Sequence, residues 1–113
     1  VYDVAGTPNN GASVDTNTCA TQGNGFSSLC TVWQDPDFNK NQQAFYYARV
    51  VENPTCRWSH MQCIAAFKEQ ELSCDTLESD HPLTACCDGS IPKTIQERAW
   101  SSPIWYRAPE ESL

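Results

Sequence analysis

Positive charge is scarce in this chain. Seven Lys and Arg stand against 14 Asp and Glu, for a formal net charge of −7. Binding a phosphate backbone needs clustered cations, and no basic stripe exists here, so nucleic acid is excluded as a partner. An anionic membrane surface would repel the chain as well. No apolar run approaches the roughly 18 residues of a membrane span, so membrane insertion is not expected. Histidine is nearly absent, with His60 and His81 alone, and no G-x-S-x-G occurs. Ser101 and Ser102 therefore read as backbone-bonding residues rather than nucleophiles. No C-x₂-C pair occurs either, which removes the spacing of a zinc ribbon. Roughly the first 28 residues hold few large apolar side chains and read as a surface loop, or as an arm that packs on something else.

Cysteine is abundant: Cys19, Cys30, Cys56, Cys63, Cys74, Cys86 and Cys87 make 7 in 113 residues. That usage points to disulfides and an oxidising compartment, periplasmic or extracellular. Three bridges leave one cysteine over, and about 105 pairings are open. The adjacent Cys86 and Cys87 are expected to bond to different partners, because a ring between neighbours strains the backbone. We expect Cys19–Cys30 to close the first loop and the other five to crosslink 56–87. The odd cysteine is left to reach a separate chain or segment, or to stay a buried thiol.

Two segments dominate the apolar pattern, AFYYARVVE at 44–52 and ERAWSSPIWY at 97–106. Both are dense in aromatic and β-branched residues and predict paired strands. The first alternates imperfectly, which predicts cover on both faces. Pro103 cannot donate to a ladder, so the second segment lies at an edge or carries a bulge. LCTVWQD at 29–35 alternates well enough to predict a further short strand. Ser59 and Gln62 form an S-x-x-Q capping box that opens a helix over roughly 60–71, with Met61, Ile64, Ala65 and Leu72 near one stripe. The tail after Pro109 reads as mobile. The expected fold is mainly β with one short helix, an incomplete sandwich-like sheet plus disulfide-rich loops. It divides into a loop-rich arm (1–28), core strands (29–59), a helix with a cysteine-rich insertion (60–93), and a last strand and tail (94–113). The opening VYDVA reads as the end of a strand, so a processed product or fragment is expected.

Candidate chemistry is sparse. Asp35, Asp37 and Asn39, with Asn41, put oxygen ligands at alternate positions, as a Ca²⁺ loop requires. Lys40 stands where such a loop needs Gly, and Tyr46 where it needs a bidentate Glu, so an Asx-capped turn is the better reading. His60 and Cys63, with His81, Cys86 and Cys87, offer N and S ligands, but bridged thiols bind no metal. Trp33, Trp58, Trp100 and Trp105 supply the rings for a ligand platform, but core packing explains them more cheaply. No cofactor is indicated, and no residue stands out as catalytic.

QDPDFNKNQQAFYYARVVENPTCRWS followed by TIQERAWSSPIWY, with VYDVAG at the start, closely resembles the C-terminal end of domain-of-unknown-function family 3604. These are bacterial, mostly exported proteins. The matching parts are 1–6, 33–59 and 94–106, and the 60–93 region departs as a subfamily insertion. The family is similar to metal-dependent hydrolases of the polymerase-and-histidinol-phosphatase type, whose N-terminal part carries an H-x-H motif. This chain has no H-x-H, so the resemblance implies that a catalytic metal site lies outside these residues. It implies a non-catalytic structural portion that packs on a hydrolase-like domain, in the parent chain or a larger subunit. Two other readings stand beside it. One is an independent secreted disulfide-rich module that binds a ligand or protein through the four tryptophans. The other is a contributor to a composite hydrolase site through Arg49, Glu52, Arg57 and Glu97.

Overall fold

The two aromatic segments pair with each other, with one break in the ladder. The structure is a computed structural model that describes residues 1–110. Its strands are β1 (Ser13–Val14), β2 (Thr21–Gln22), β3 (Ala44–Tyr46), β4 (Arg49–Val51), β5 (Thr55–Cys56), β6 (Thr94–Ile95), β7 (Arg98–Trp100) and β8 (Ile104–Tyr106), with one helix, α1 (Trp58–Glu69). Among the described residues the fold is thus small antiparallel strands with a single α-helix, a 3₁₀ turn at Thr84–Cys86 and no closed barrel, in agreement with the expected class. The expected mobile tail lies, beyond residue 110, outside the described residues.

β3 pairs with β8, β4 with β7 and β5 with β6, all antiparallel. These ladders are one ribbon, outgoing over 44–56 and returning over 94–106, with two interruptions. Between the Tyr46–Ile104 and Arg49–Trp100 pairs, residues 47–48 face residues 101–103. The return strand carries the extra residue, as Pro103 predicts. The Ser101 hydroxyl accepts the Ala48 N–H at 2.8 Å, and the Ser101 N–H donates to the Ala48 carbonyl at 2.9 Å. Ser101 thereby satisfies both backbone groups of Ala48 where the ladder breaks. Between the Val51–Arg98 and Thr55–Ile95 pairs, residues 52–54 face residues 96–97, so here the outgoing strand carries the extra residue, beside Pro54. The Glu52 N–H still reaches the Glu97 carbonyl at 2.9 Å, and the Gln96 side-chain amide donates to the Glu52 carbonyl at 3.2 Å. The two offsets are opposite, so β5/β6 recovers the register of β3/β8.

The 29–35 segment is not a strand. Its alternation is genuine, but Trp33 packs its ring between Tyr2 and Tyr46, with centroids 5.1 and 6.1 Å away, and no ladder partner lies beside it. The helix also differs in its start. It begins at Trp58 with Arg57 as N-cap and no side-chain cap, so Ser59 lies inside the first turn and no capping box forms. Its inward residues are His60, Cys63, Ile64 and Phe67, while Met61 and Ala65 face out. The helix ends with Glu71 at φ +52° and the Leu72 N–H bonded to the Phe67 carbonyl at 2.9 Å. That is a Schellman closure with Glu where Gly is usual.

Cover on the ribbon is one-sided. Tyr2, Trp33 and Phe38 lie over the face that carries Tyr46 and Tyr106, with Phe38 and Tyr106 centroids 4.9 Å apart. The opposite face holds Phe45, Tyr47 and Trp105, where Phe45 touches both of the others and all three are mostly exposed. The expected cover on both faces is therefore absent, because the irregular alternation reflects the bulge at 47–48 rather than double burial. Among the described residues only Cys56 (7% exposed) and His60 (8%) are buried. The Cα radius of gyration is 22.1 Å, against about 13 Å for a compact domain of this length. The accessible surface is 9661 Å², where a compact monomer of this mass presents about 6,200 Å².

Candidate functional site

The most shielded junction is where the N-terminal arm meets the start of α1. β1 and β2 form a hairpin, and β1 lies against β5. The connecting turn is organised by Asp15. Its carbonyl accepts the Cys19 N–H, its side chain accepts the Asn17 N–H at 2.8 Å, and its own N–H donates to the Ala20 carbonyl at 2.9 Å. Cys19 sits at φ +61°, a region that residues other than Gly rarely enter. From there its sulfur bonds Cys56, with Cα atoms 5.6 Å apart.

This pairing overturns the expected Cys19–Cys30 bridge. The hairpin turns Cys19 toward β5, while Cys30 lies exposed in an irregular segment and is unpaired within the chain. The other bridges are Cys63–Cys86 and Cys74–Cys87, so the adjacent cysteines do take different partners. Both lie wholly within 60–93. Crosslinking of 56–87 is thus partial, since Cys56 ties the ribbon to the arm.

His60, one turn beyond Cys56, faces the same spot. Its Nε2 lies 2.6 Å from the Thr16 carbonyl. A carbonyl only accepts, so Nε2 carries a proton in this contact. A nitrogen of His60 and the sulfurs of Cys19 and Cys56 all lie within 4.8 Å of one another. This cluster differs from the His60, Cys63, His81 grouping. Cys63, Cys86 and Cys87 are bridged, and His81 accepts the Leu83 N–H at 3.0 Å on Nδ1. The Cys-x₃-His spacing at 56–60 was the signal available in sequence; Cys19, remote in the chain, was not.

The Asp35–Asn41 stretch forms successive Asx turns. Asp35 accepts the Asp37 N–H and Asn39 accepts the Asn41 N–H, each at 2.9 Å. The remaining carboxylate oxygens go to tyrosines: Tyr46 donates to Asp35 at 2.6 Å, and Tyr2 to Asp37. These bonds hold both phenols in the protonated form and raise their pKa values above 10.0, with burial and the nearby carboxylate charges adding to the effect. The loop thus acts as a clasp that fastens the N-terminus to the ribbon.

The four tryptophans are all exposed, and among the described residues no ring contact joins two of them. Trp33 belongs to the covered face, Trp105 to the open face, Trp100 to β7 and Trp58 to the helix start. Arg49 and Glu52 are exposed on the outgoing strand and Glu97 on the return strand, while Arg57 directs Nε to the Thr94 carbonyl at 3.2 Å. Among the described residues no helix is long and apolar enough to cross a membrane.

A family model described as a protein of unknown function (DUF3604) matches residues 2–108. No curated protein and no solved structure matches the chain.

Proposed function

The chain belongs to this DUF3604 family, and we propose that it is a non-catalytic structural portion of an exported protein, one that packs on a hydrolase-like domain. One observation carries this reading: the described residues form no core of their own. Two buried residues cannot offset the conformational entropy of ordering a chain of this length. The surface in excess of a compact monomer is about 3,500 Å², within the range of obligate interfaces. The open aromatic face and the two unpaired ribbon edges are the surfaces a covering domain would use. Three disulfides support an oxidising location, periplasmic or extracellular.

Solution scattering on the isolated chain tests the reading. An extended particle with a radius of gyration near 22.1 Å, or self-association that rises with concentration, is the expected result. A compact monomer near 13 Å would refute it, because the chain would then close a core by itself.

A further inference from the structure

We propose that Cys19, Cys56 and His60 form a redox-gated site for a thiophilic divalent transition metal, of which Zn²⁺ suits the donor set best. Two sulfurs and one imidazole nitrogen are a three-ligand tetrahedral set, with the fourth position left to water. The two sulfurs are joined as a disulfide, and a nitrogen of His60 lies within 4.8 Å of both. Cys56 and His60 are also the two buried residues of the described chain, so the ligands are concentrated where the protein is most shielded.

Two features independent of that proximity favour a ligand. The His60 Nε2–H is held by the Thr16 carbonyl, the outer hydrogen bond that metal-bound histidines commonly make to fix their tautomer and ring orientation. Cys19 is also placed by the Asp15 turn, whose hydrogen bonds run through backbone groups and the Asp15 carboxylate rather than through the sulfur. Cys19 is half-buried, and His60, with Thr16 and Asn17, lines a depression that neither Cys19 nor Cys56 borders, so the cluster meets solvent through Cys19 and the histidine.

In the oxidised chain the two sulfurs share a bond and neither is a thiolate. A dithiol reductant supplies two electrons and two protons. The Cys19–Cys56 bond breaks, two thiols form, and the reductant leaves as its own disulfide. On metal binding each thiol releases its proton to solvent, and the two thiolates balance the dication. The sulfurs then separate to about 3.8 Å, as tetrahedral Zn–S bonds of about 2.3 Å require. Side-chain rotation allows this at a Cα separation of 5.6 Å.

The test uses the full natural protein, reduced with a phosphine and titrated with Co²⁺ in the absence of oxygen. Reduced protein should develop a thiolate-to-cobalt charge-transfer band that Zn²⁺ abolishes, and oxidised protein should not. Under the same reducing conditions Cys19→Ser/Cys56→Ser should lose the band. His60→Ala, which leaves every cysteine in place, should weaken Co²⁺ binding by about 10-fold or more. No band in the reduced protein overturns the proposal. So does an equal band in the double variant, or undiminished affinity in His60→Ala.

Discussion

Truncating Trp105 separates a covered ribbon face from a solvent-facing one. Trp105 is 68% exposed in the chain and stands across from Phe45, which is 55% exposed. A tryptophan carries about 200 Å² of buriable surface, so some 140 Å² of it remains for another domain to cover. At about 25 cal/mol per Å² that is roughly 3.5 kcal/mol. Trp105→Ala in the full natural protein should therefore lower its unfolding free energy by about 3–4 kcal/mol. If the face stays in water, only the contact with Phe45 is lost, at about 0.5–1.5 kcal/mol. Urea titration followed by near-ultraviolet circular dichroism distinguishes the two, with the midpoint compared at constant slope. Phe45→Ala should behave alike, with a somewhat smaller loss. Losses below about 1.5 kcal/mol at both positions would refute the idea that this face is covered.

Two further outcomes follow from the clasp and the bridges. Tyr2 and Tyr46 have pKa values raised above 10.0 in the folded chain. Their contribution is complete below the unfolded value and is lost as pH rises through the folded one. Alkaline titration should release the N-terminal arm at the pH where the tyrosines ionise, read as amide exchange of residues 1–6 against phenolate absorbance. Tyr2→Phe should release it already at neutral pH, and an arm equally protected in that variant would rule out the clasp. Removing bridges should cost more as the closed loop lengthens. The expected losses are about 3 kcal/mol for Cys74–Cys87, about 3.5 for Cys63–Cys86 and about 4 for Cys19–Cys56. Serine pairs compared by thermal unfolding would show a different order if native-state contacts outweigh loop entropy.

Local chemistry was legible in the sequence where a residue type permits few conformations. Pro103 announced the bulge, and the density of aromatic and β-branched residues announced both arms of the ribbon. The alternating Asp and Asn residues announced turns that the structure confirms. Contacts between distant segments were not legible. Alternation at 29–35 suits a strand, but a strand exists only with a partner, and Trp33 is taken by Tyr2 and Tyr46. The Cys19–Cys56 bridge depends on β1 lying against β5, which no spacing encodes. The sequence reading grouped His60 with Cys63, His81, Cys86 and Cys87; its neighbours in the cluster, Cys56 and Cys19, arrive only through the fold.

The paired bulges make the ribbon work like a vernier. Each adds one residue to one strand, and since they sit on opposite strands, the two ends stay in phase while the middle ladder runs one step out. Losing a residue from 101–103 alone would rotate the aromatic end against the bridged end and exchange its inner and outer side chains. Losing one from 52–54 at the same time would restore the phase and leave a plain hairpin. Length changes in this ribbon are therefore tolerated in pairs, and natural variants should gain or lose residues at the two bulges together.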